Sequence, residues 1–269
     1  MLKKIKESVE YLNSIIKTTP EIGIILGTGL GGLVSEIEIK YSIPYSKIPN
    51  FKSSTVQGHS GRLIIGKLSG KNIIAMQGRF HFYEGYEIQE VVFPVRVMKF
   101  LGISKLIVSN ASGGVNPNFE IGDIMILTDH INLIPNPLIG ENINELGVRF
   151  PDMSQPYCSE MINYVDEIVK INNMNIQKGV YVGVTGPTLE TPAEYTYFRC
   201  IGGDTVGMST VPEVITARHM RIPCFAISVI TDLGVTGKIK KVTHEDVQLV
   251  AEKSEPKLTF IVKELIKKI

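Results

Sequence analysis

Short apolar runs, alternating with segments of helical periodicity, are the feature that most limits what this chain can fold into. Most runs carry Ile, Val and Leu at successive positions, as expected for strands covered on both faces. We therefore predict an α/β fold, a single domain over residues 1–269 with a central mixed, largely buried β-sheet flanked by helices. The candidate strands are Ile22–Leu26, Leu63–Ile65, Ile73–Met76, Leu106–Asn110, Ile124–Leu127, Val180–Thr185 and Cys224–Thr231.

The first helical segment could be a targeting peptide or a helix of the folded domain, because it combines lysines with apolar residues. Glu7 and Glu10 lie among its lysines, whereas a signal peptide needs a continuous apolar core and a transit peptide avoids acids. We predict an amphipathic helix packed on the domain. No apolar run reaches the ~18 residues of a membrane span. The predicted helices are Leu2–Lys17, Glu87–Phe100, Ser159–Ile171, Ala193–Ile201, Pro212–Met220 and Glu245 to near the C-terminus.

The charge and the cysteine content limit which partners and which cellular compartment we expect for this protein. The chain carries 28 basic and 27 acidic residues, a formal charge of +1, so we expect no nucleic-acid partner and no membrane partner. Cys158, Cys200 and Cys224 are far apart in sequence and form no Cys-x-x-Cys pair. An odd number of scattered cysteines argues against a disulfide framework, and we expect a cytoplasmic protein.

Polar and glycine-rich segments repeatedly follow the apolar runs. In open α/β sheets, ligands bind outside the carboxyl ends of the strands, so these segments predict one site at one sheet edge. They are Gly27-Thr28-Gly29, Arg79-Phe80-His81, Asn110 to Gly114, Thr185-Gly186-Pro187 and Thr231-Asp232.

The first of these segments, Gly27–Gly32, matches the dinucleotide fingerprint G-x-G-x-x-G. That fingerprint needs an acidic residue about 20 positions further on. Glu36 and Glu38 come too early, and Tyr45–Phe51 contains no acid. Two other interpretations stay open: a tight turn that needs glycines, or backbone N–H groups that bind a small oxyanion with help from Thr28.

The segment Gln77–Tyr86 (QGRFHFYEGY) is more distinctive. If the strand before it continues, Arg79, His81 and Tyr83 are two positions apart and project to the same side. A guanidinium fork and an imidazole that converge on one point are suited to phosphate.

Together with nine further segments, these two motifs resemble the trimeric, low-molecular-mass purine nucleoside phosphorylases. The resemblance runs from about residue 22 to 247 in the family's order. The matching segments are LGTGLGGL at Leu26–Leu33, QGRFHFYEGY, FPVRV at Phe93–Val97, NASGG at Asn110–Gly114, GDIM at Gly122–Met125, DHINL at Asp129–Leu133, RFPDMS at Arg149–Ser154, GPTLETPAE at Gly186–Glu194, VGMSTVPEV at Val206–Val214, ARH at Ala217–His219 and THEDV at Thr243–Val247.

The resemblance implies an enzyme that uses inorganic phosphate to cleave purine nucleosides, working as a homotrimer without a metal or redox cofactor. It also implies phosphate contacts, a sugar pocket, and base contacts. The implied phosphate ligands are Thr28, His59 in a mobile loop, Arg79, His81, Ala111 through its backbone, and Ser209. The implied nucleoside contacts are Tyr83, Tyr181, Leu189, Glu190, Met208, Asp232, His244 near the 5′-hydroxyl, and Phe150 against the sugar of a neighbouring subunit. Of these, His81, Glu190, Asp232 and His244 are the expected catalytic residues.

Three of these residues allow a judgement on chemistry. An ionised Glu190 can only accept hydrogen bonds; hypoxanthine and guanine present N1–H to it, and adenine does not. Asp232 stands where the family usually has Asn, and Leu189 where it often has Phe. We expect inosine and guanosine to be preferred, with more adenosine cleavage than an Asn-bearing relative shows. Met208 as a core residue and His244 as an exposed helix-start residue stay open as alternatives.

Three competing functions remain in view. A methylthioadenosine phosphorylase shares the fold and has Asp at the position of Asp232, but Glu190 together with His244 argues against it. An NAD-linked oxidoreductase would use Gly27–Gly32 but lacks the acidic residue. A non-catalytic purine-binding module is disfavoured because Arg79, His81 and Glu190 are all retained.

Overall fold

Successive apolar residues form a buried sheet at the centre of the molecule. The structure, a computed structural model, describes residues 1–53 and 60–269. In those residues nine strands belong to one sheet, and all five residues of the first strand are buried. The strands are β1 (Ile22–Leu26), β2 (Glu38–Pro44), β3 (Arg62–Leu68), β4 (Lys71–Gln77), β5 (Lys105–Gly114), β6 (Ile124–Asn132), β7 (Gln177–Gly183), β8 (Thr205–Gly207) and β9 (Cys224–Leu233).

The sheet is mixed, and half of it closes on itself. Its order is β2-β3-β4-β1-β5-β8-β7-β6-β9, and β9 also pairs with β5, which joins the last five strands in a ring. Strand β1 is parallel to β4 and β5, and β5 is parallel to β9. The carboxyl ends of these four strands therefore meet at one edge, where the open sheet adjoins the ring.

Helices cover both faces of the sheet. Buried side chains of β1 alternate between two apolar clusters: Ile25 contributes to one, and Ile24 and Leu26 to the other. The first cluster contains buried residues of α1, α3 and α6, and the second contains those of α4 and α7. The helices are α1 (Leu2–Ile15), α2 (Ile88–Val91), α3 (Phe93–Leu101), α4 (Ser159–Ile171), α5 (Pro192–Cys200), α6 (Val211–His219) and α7 (His244–Lys268).

The predicted single α/β domain with a mixed, buried sheet is confirmed, with two strands missed and one helix wrongly joined. Strand β2 is mostly exposed, so it lacks the apolar run used to find the others. Strand β8 has only three residues. The predicted helix Glu87–Phe100 is two helices, α2 and α3, that meet at Val92. Pro94, which has no N–H to donate, stands in the first turn of α3, where it is tolerated.

The N-terminal segment packs on the domain as predicted. Ile5 and Leu12 of α1 are fully buried in the first apolar cluster. Among the residues that the structure describes, no helix is both long and apolar enough to cross a membrane.

Candidate active site

A cavity of about 450 Å³ lies at the edge where β1, β4, β5 and β9 end. Its size is in the range of small-molecule sites. The segments after the apolar runs supply most of its walls, as the sequence predicts. Eleven of the predicted site residues line it: Thr28, Arg79, His81, Tyr83, Ala111, Leu189, Glu190, Met208, Ser209, Asp232 and His244.

The turn after β1 forms one wall of the cavity. The Gly27 N–H donates to Ser109 Oγ over 3.1 Å. A Cβ on Gly27 would lie 2.2 Å from Nη2 of Arg79, so glycine is needed for the close approach of that guanidinium. The turn leads into a short 3₁₀ helix over Gly31–Glu36, whereas dinucleotide binding uses the N-terminus of an α-helix. The oxidoreductase interpretation therefore lacks the α-helix N-terminus that it requires, in addition to the acidic residue.

Arg79, His81 and Tyr83 reach the cavity by a different route from the predicted one. The expected continuation of the strand through them is wrong: β4 ends at Gln77, and Gly78 turns the chain with a φ of +94°. Tyr83 lies in a 3₁₀ turn and stacks on the His81 ring, with 4.7 Å between the ring centroids. The three side chains nevertheless line one cavity.

Arg79 is fixed by buried partners. Its Nη1 lies 3.3 Å from Oε1 of Glu213 and 3.4 Å from Oγ1 of Thr210, and its Nη2 donates to the backbone oxygen of Ser109. Arg79 is only 2% exposed, and Glu213 is equally buried. The buried carboxylate neutralises the guanidinium, which keeps a cation in place at the cavity wall.

His81 is oriented by Glu84. The carboxylate of Glu84 lies 2.9 Å from His81 Nδ1 and also accepts from the His81 backbone N–H. Burial lowers the pKa of His81, while the hydrogen bond with Glu84 partly offsets that shift. The ring is therefore neutral at pH 7, with its hydrogen on Nδ1 and its acceptor at Nε2.

Ser209 lines the cavity just before α6, and the buried Thr210 follows it. Thr210 has a φ of +71°, a strained conformation for a β-branched residue. Asn110 holds it by donating to Oγ1 over 2.8 Å. The Ser209 N–H donates to the Tyr181 hydroxyl, which is 3.3 Å away. Strain of this kind persists where neighbours fix the backbone, and here it presents Ser209 to the cavity.

Two carboxyl groups, Glu190 and Asp232, mark the opposite end. Thr231 Oγ1 donates to Asp232 Oδ1 over 3.0 Å, and the Tyr195 hydroxyl lies 3.4 Å from Asp232 Oδ2. Burial raises the pKa of Asp232. Burial, with a smaller contribution from the nearby Asp232 charge, also raises the pKa of Glu190. One end of the cavity thus holds cationic and neutral donors, and the other holds acids that resist ionisation.

Comparison with known proteins identifies the family of this chain. Residues 21–267 match the family model described as phosphorylase superfamily. Purine nucleoside phosphorylase 1 of Geobacillus stearothermophilus is 48% identical over 264 residues, covering 98% of this chain and 96% of its own. The chain belongs to the purine nucleoside phosphorylase family. The Rattus norvegicus enzyme is 44% identical over 272 residues, covering 98% of this chain and 94% of its own.

Solved structures of the family superpose closely. The Schistosoma mansoni purine nucleoside phosphorylase in complex with adenosine has a TM-score of 0.94 and 41% identity, covering 100% of this chain and 98% of that one. These relatives are all named purine nucleoside phosphorylase, so the methylthioadenosine phosphorylase alternative is not favoured.

Three predicted residues stand apart from the cavity wall. Tyr181, expected against the sugar, is fully buried behind Ser209 and supports it instead of lining the cavity. Phe150 is 86% exposed and lies outside the cavity, with the Arg149 guanidinium 5.7 Å from its ring centroid. His59 falls outside the described residues.

The residues at the mouth bear on two open alternatives. Met208 is half-buried in the cavity wall and does not belong to the core clusters. His244 is the exposed first residue of α7 and also lines the cavity, and its role near the 5′-hydroxyl stays a prediction. Its Nε2 lies 3.1 Å from Nε2 of Gln248.

Sequence reasoning missed three supporting residues of this site: Glu84, Glu213 and Tyr195. Glu84 and Glu213 stand inside two of the quoted motifs, so the signal was present, but their partners could not be assigned without the fold. Tyr195 stands one residue after the GPTLETPAE segment and carries no sequence signal for a role between two carboxyls.

Proposed function

We propose that this cavity cleaves purine nucleosides by phosphorolysis, releasing the free base and a pentose 1-phosphate, with inosine and guanosine as the better substrates. The observation that carries the proposal is the division of one cavity into an anion end and a purine end. Arg79, His81 and Ser209 lie at the first, and Glu190 and Asp232 at the second.

The anion end binds the co-substrate. Phosphate accepts from the Arg79 guanidinium, from the hydroxyls of Thr28 and Ser209 and from the Ala111 N–H. The P–O–H group of the phosphate dianion donates to His81 Nε2, and His59 is expected to be a further ligand. A phosphate oxygen then forms a bond to the anomeric carbon while the bond to purine N9 breaks and its electron pair passes to the base. The bound dianion stabilises the positive charge that develops on the sugar.

The purine end stabilises the leaving base. A neutral Asp232 donates to N7, where negative charge gathers as the glycosidic bond breaks. An ionised Glu190 accepts from N1–H and, in guanine, from the amino group at C2. The raised pKa of Asp232 supports the neutral form required for this role. Leu189 packs on the base at the mouth.

The sugar lies between the two ends. Tyr83 and Met208 contact the ribose, and His244 lies near its 5′-hydroxyl. Placement of His244 at the first turn of α7 supports this assignment, because the exposed ring reaches the cavity from outside.

The working assembly is a homotrimer in which Phe150 covers the sugar of a neighbouring subunit. A large apolar side chain that is 86% exposed supports an interface at this segment. Light scattering should give a trimeric mass, and Phe150→Ala should raise the nucleoside KM without changing the phosphate KM. A fully active monomer would contradict the assembly.

We expect phosphate to be the only co-substrate and no metal or redox cofactor to take part. In residues 1–53 and 60–269, no group of His, Cys, Asp and Glu is placed to hold a metal ion. We place the enzyme in the cytoplasm because Cys158, Cys200 and Cys224 are free, as a reducing compartment favours.

One experiment tests the substrate class. The protein is incubated with inosine, guanosine, adenosine and methylthioadenosine, with and without phosphate, and products are separated chromatographically. We expect phosphate-dependent release of hypoxanthine and guanine at the highest rates. Methylthioadenosine as the best substrate would overturn the assignment.

A further inference from the structure

A tyrosine behind the cavity wall joins the two carboxyls of the purine end. Tyr195 lies on α5 and is 5% exposed. Its hydroxyl lies 3.4 Å from Asp232 Oδ2 and also hydrogen-bonds to the Glu190 carboxyl group. A Cβ on Gly234 would lie 2.2 Å from the Tyr195 ring, so the glycine gives this ring its space. Tyr195 does not line the cavity and reaches a substrate only through its two neighbours.

This bridge has a consequence for protonation. A phenol has one hydrogen to donate and lone pairs that accept. If both carboxyls are ionised, only one can receive the Tyr195 hydrogen, and the other faces the phenolic lone pairs. If one carboxyl is protonated, it donates to the phenol, and the phenol donates to the remaining carboxylate. Only in the singly protonated pair do both carboxyls and the phenol have hydrogen-bond partners, and the bond from the phenol to the carboxylate is charge-assisted.

We propose that Tyr195 is a positioning residue that makes Glu190 and Asp232 share one proton, so that the same cavity accepts 6-oxopurine and 6-aminopurine nucleosides. The inference rests on the proposed function, since it assigns both carboxyls to the base.

The location of the proton selects the base. With the proton on Asp232, its hydrogen turns from the phenol to N7 of the bound base, the phenol donates to Glu190, and Glu190 accepts from N1–H, which fits inosine. With the proton on Glu190, its hydrogen turns from the phenol to the bare N1 of adenine, the phenol donates to Asp232, and Asp232 accepts from the 6-amino group. The shift is balanced: the acid gives its proton to the phenolic oxygen as the phenol gives its own to the other carboxylate. Tyr195 stays neutral throughout, and burial together with both carboxyls raises its pKa.

Other titratable groups lie near the Glu190/Asp232 pair, and their contribution to a pH profile must be distinguished from that of the pair. Glu194, on the same helix as Tyr195, raises the pKa of Glu190. Arg79, His81, Tyr83 and His244 line the cavity from other elements. All of these groups are retained when Asp232→Asn removes the shared proton, so that variant serves as the reference background.

The test is Tyr195→Phe, which keeps the ring and removes the bridge. For inosine and adenosine, kcat/KM is measured across the pH range with saturating phosphate. Loss of the bridge makes the singly protonated carboxyl pair less stable relative to both the doubly protonated pair and the fully ionised pair. The acid limb should therefore move up and the alkaline limb down, each by about half a pH unit to one, as expected for one hydrogen bond. Tyr197→Phe, an exposed tyrosine on the same helix, should leave both limbs unchanged.

In the Asp232→Asn background no shared proton remains, so Tyr195→Phe should leave the alkaline limb in place. Only the acid limb should move up, because the hydrogen bond from Tyr195 lowers the pKa of Glu190. Unmoved limbs in the otherwise unmodified protein, or an equal narrowing in both backgrounds, would overturn the inference and leave Tyr195 a packing residue. Infrared difference spectra of the unmodified protein give a check independent of variant folding. Hypoxanthine should produce a protonated-carboxyl band that Asp232→Asn abolishes, and adenine one that Glu190→Gln abolishes. The same band with both bases would contradict the proposal.

Failure of the proposed function would look different. If the unmodified protein releases no base, or releases it equally without phosphate, the phosphorylase assignment fails and this inference fails with it. A phosphate-dependent enzyme with unmoved pH limbs overturns the inference alone.

Discussion

The two ends of the cavity are built differently. At the anion end, Arg79 and His81 each have a carboxylate partner of their own, Glu213 and Glu84. At the purine end, Glu190 and Asp232 have one phenol between them, and burial raises the pKa of both. The first arrangement holds charge in one state, whereas the second allows a proton to change place.

The difference separates the reaction from the choice of substrate. A fixed cation and a neutral imidazole serve one ligand, phosphate, in every turnover. Two acids with raised pKa values can present either donors or acceptors, so the purine end can adapt to more than one base. Changes at one end should therefore leave the selectivity of the other end unaltered.

The largest effect is expected for Arg79→Ala. Loss of a charge-assisted contact should lower kcat/KM for phosphate by about ten- to a hundredfold. It also leaves Glu213 buried without its cation, at a cost to stability of roughly 3–5 kcal/mol, which thermal unfolding would detect. The adenosine-to-inosine ratio should stay constant if the two ends are independent. Arg62→Ala, which removes an arginine paired with Ser42 outside the cavity, is the control. Unchanged phosphate use would remove Arg79 from the anion site.

The next effect concerns Asp232→Asn. Inosine cleavage should survive, while the adenosine-to-inosine ratio of kcat/KM should fall about tenfold, because the amide cannot supply the charged acceptor for a 6-amino group. Burial raises the pKa of Asp232, so its neutral form is lost only as pH rises through that raised value. The parent enzyme should thus lose inosine activity on the alkaline side, and the variant should lose less.

Phosphate KM should be the same in Asp232→Asn and in the parent. Asp166→Asn, which changes an exposed aspartate paired with Lys178, is the matched control. An unaltered substrate ratio would mean that Asp232 does not read the base.

A smaller effect is expected for Glu84→Gln, with kcat/KM reduced about three- to tenfold by poorer orientation of His81. The hydrogen bond with Glu84 raises the pKa of His81 against the stronger lowering by burial. Without the carboxylate that pKa falls further, so the imidazole stays neutral to a lower pH and the acid limb of activity should move down. Glu167→Gln, an exposed glutamate paired with Lys268, should not move it. An unmoved acid limb together with an alkaline limb that moves down would mean that the protonated ring is the active form.

Sequence patterns predicted those parts of the sheet and the cavity that depend on residues close together in the chain. Both-face apolar runs identify strands such as β1, and polar residues after them mark the edge where the site forms. Exposed β2 and three-residue β8 have no such pattern. The turn at Gly78 could not be read either, because glycine is compatible with strand continuation as well as with a positive φ.

The hydrogen-bond partners of the site residues could not be predicted from the sequence, for a different reason. Glu213 reaches Arg79 across 134 positions of sequence, and Asp232 lies 37 positions from Tyr195. Such pairs depend on strand order, which periodicity does not encode. Family motifs placed eleven residues at one cavity, but they did not disclose which side chains hold them there.

The central claim is that a phosphate oxygen, delivered by the anion end, attacks the anomeric carbon of a purine nucleoside. Inosine cleavage in phosphate fully labelled with ¹⁸O, followed by mass spectrometry of the sugar product, tests it most directly. We predict pentose 1-phosphate that retains all four labelled oxygens, with one of them bonded to the anomeric carbon. Free ribose carrying an unlabelled oxygen from water at that carbon would contradict the account.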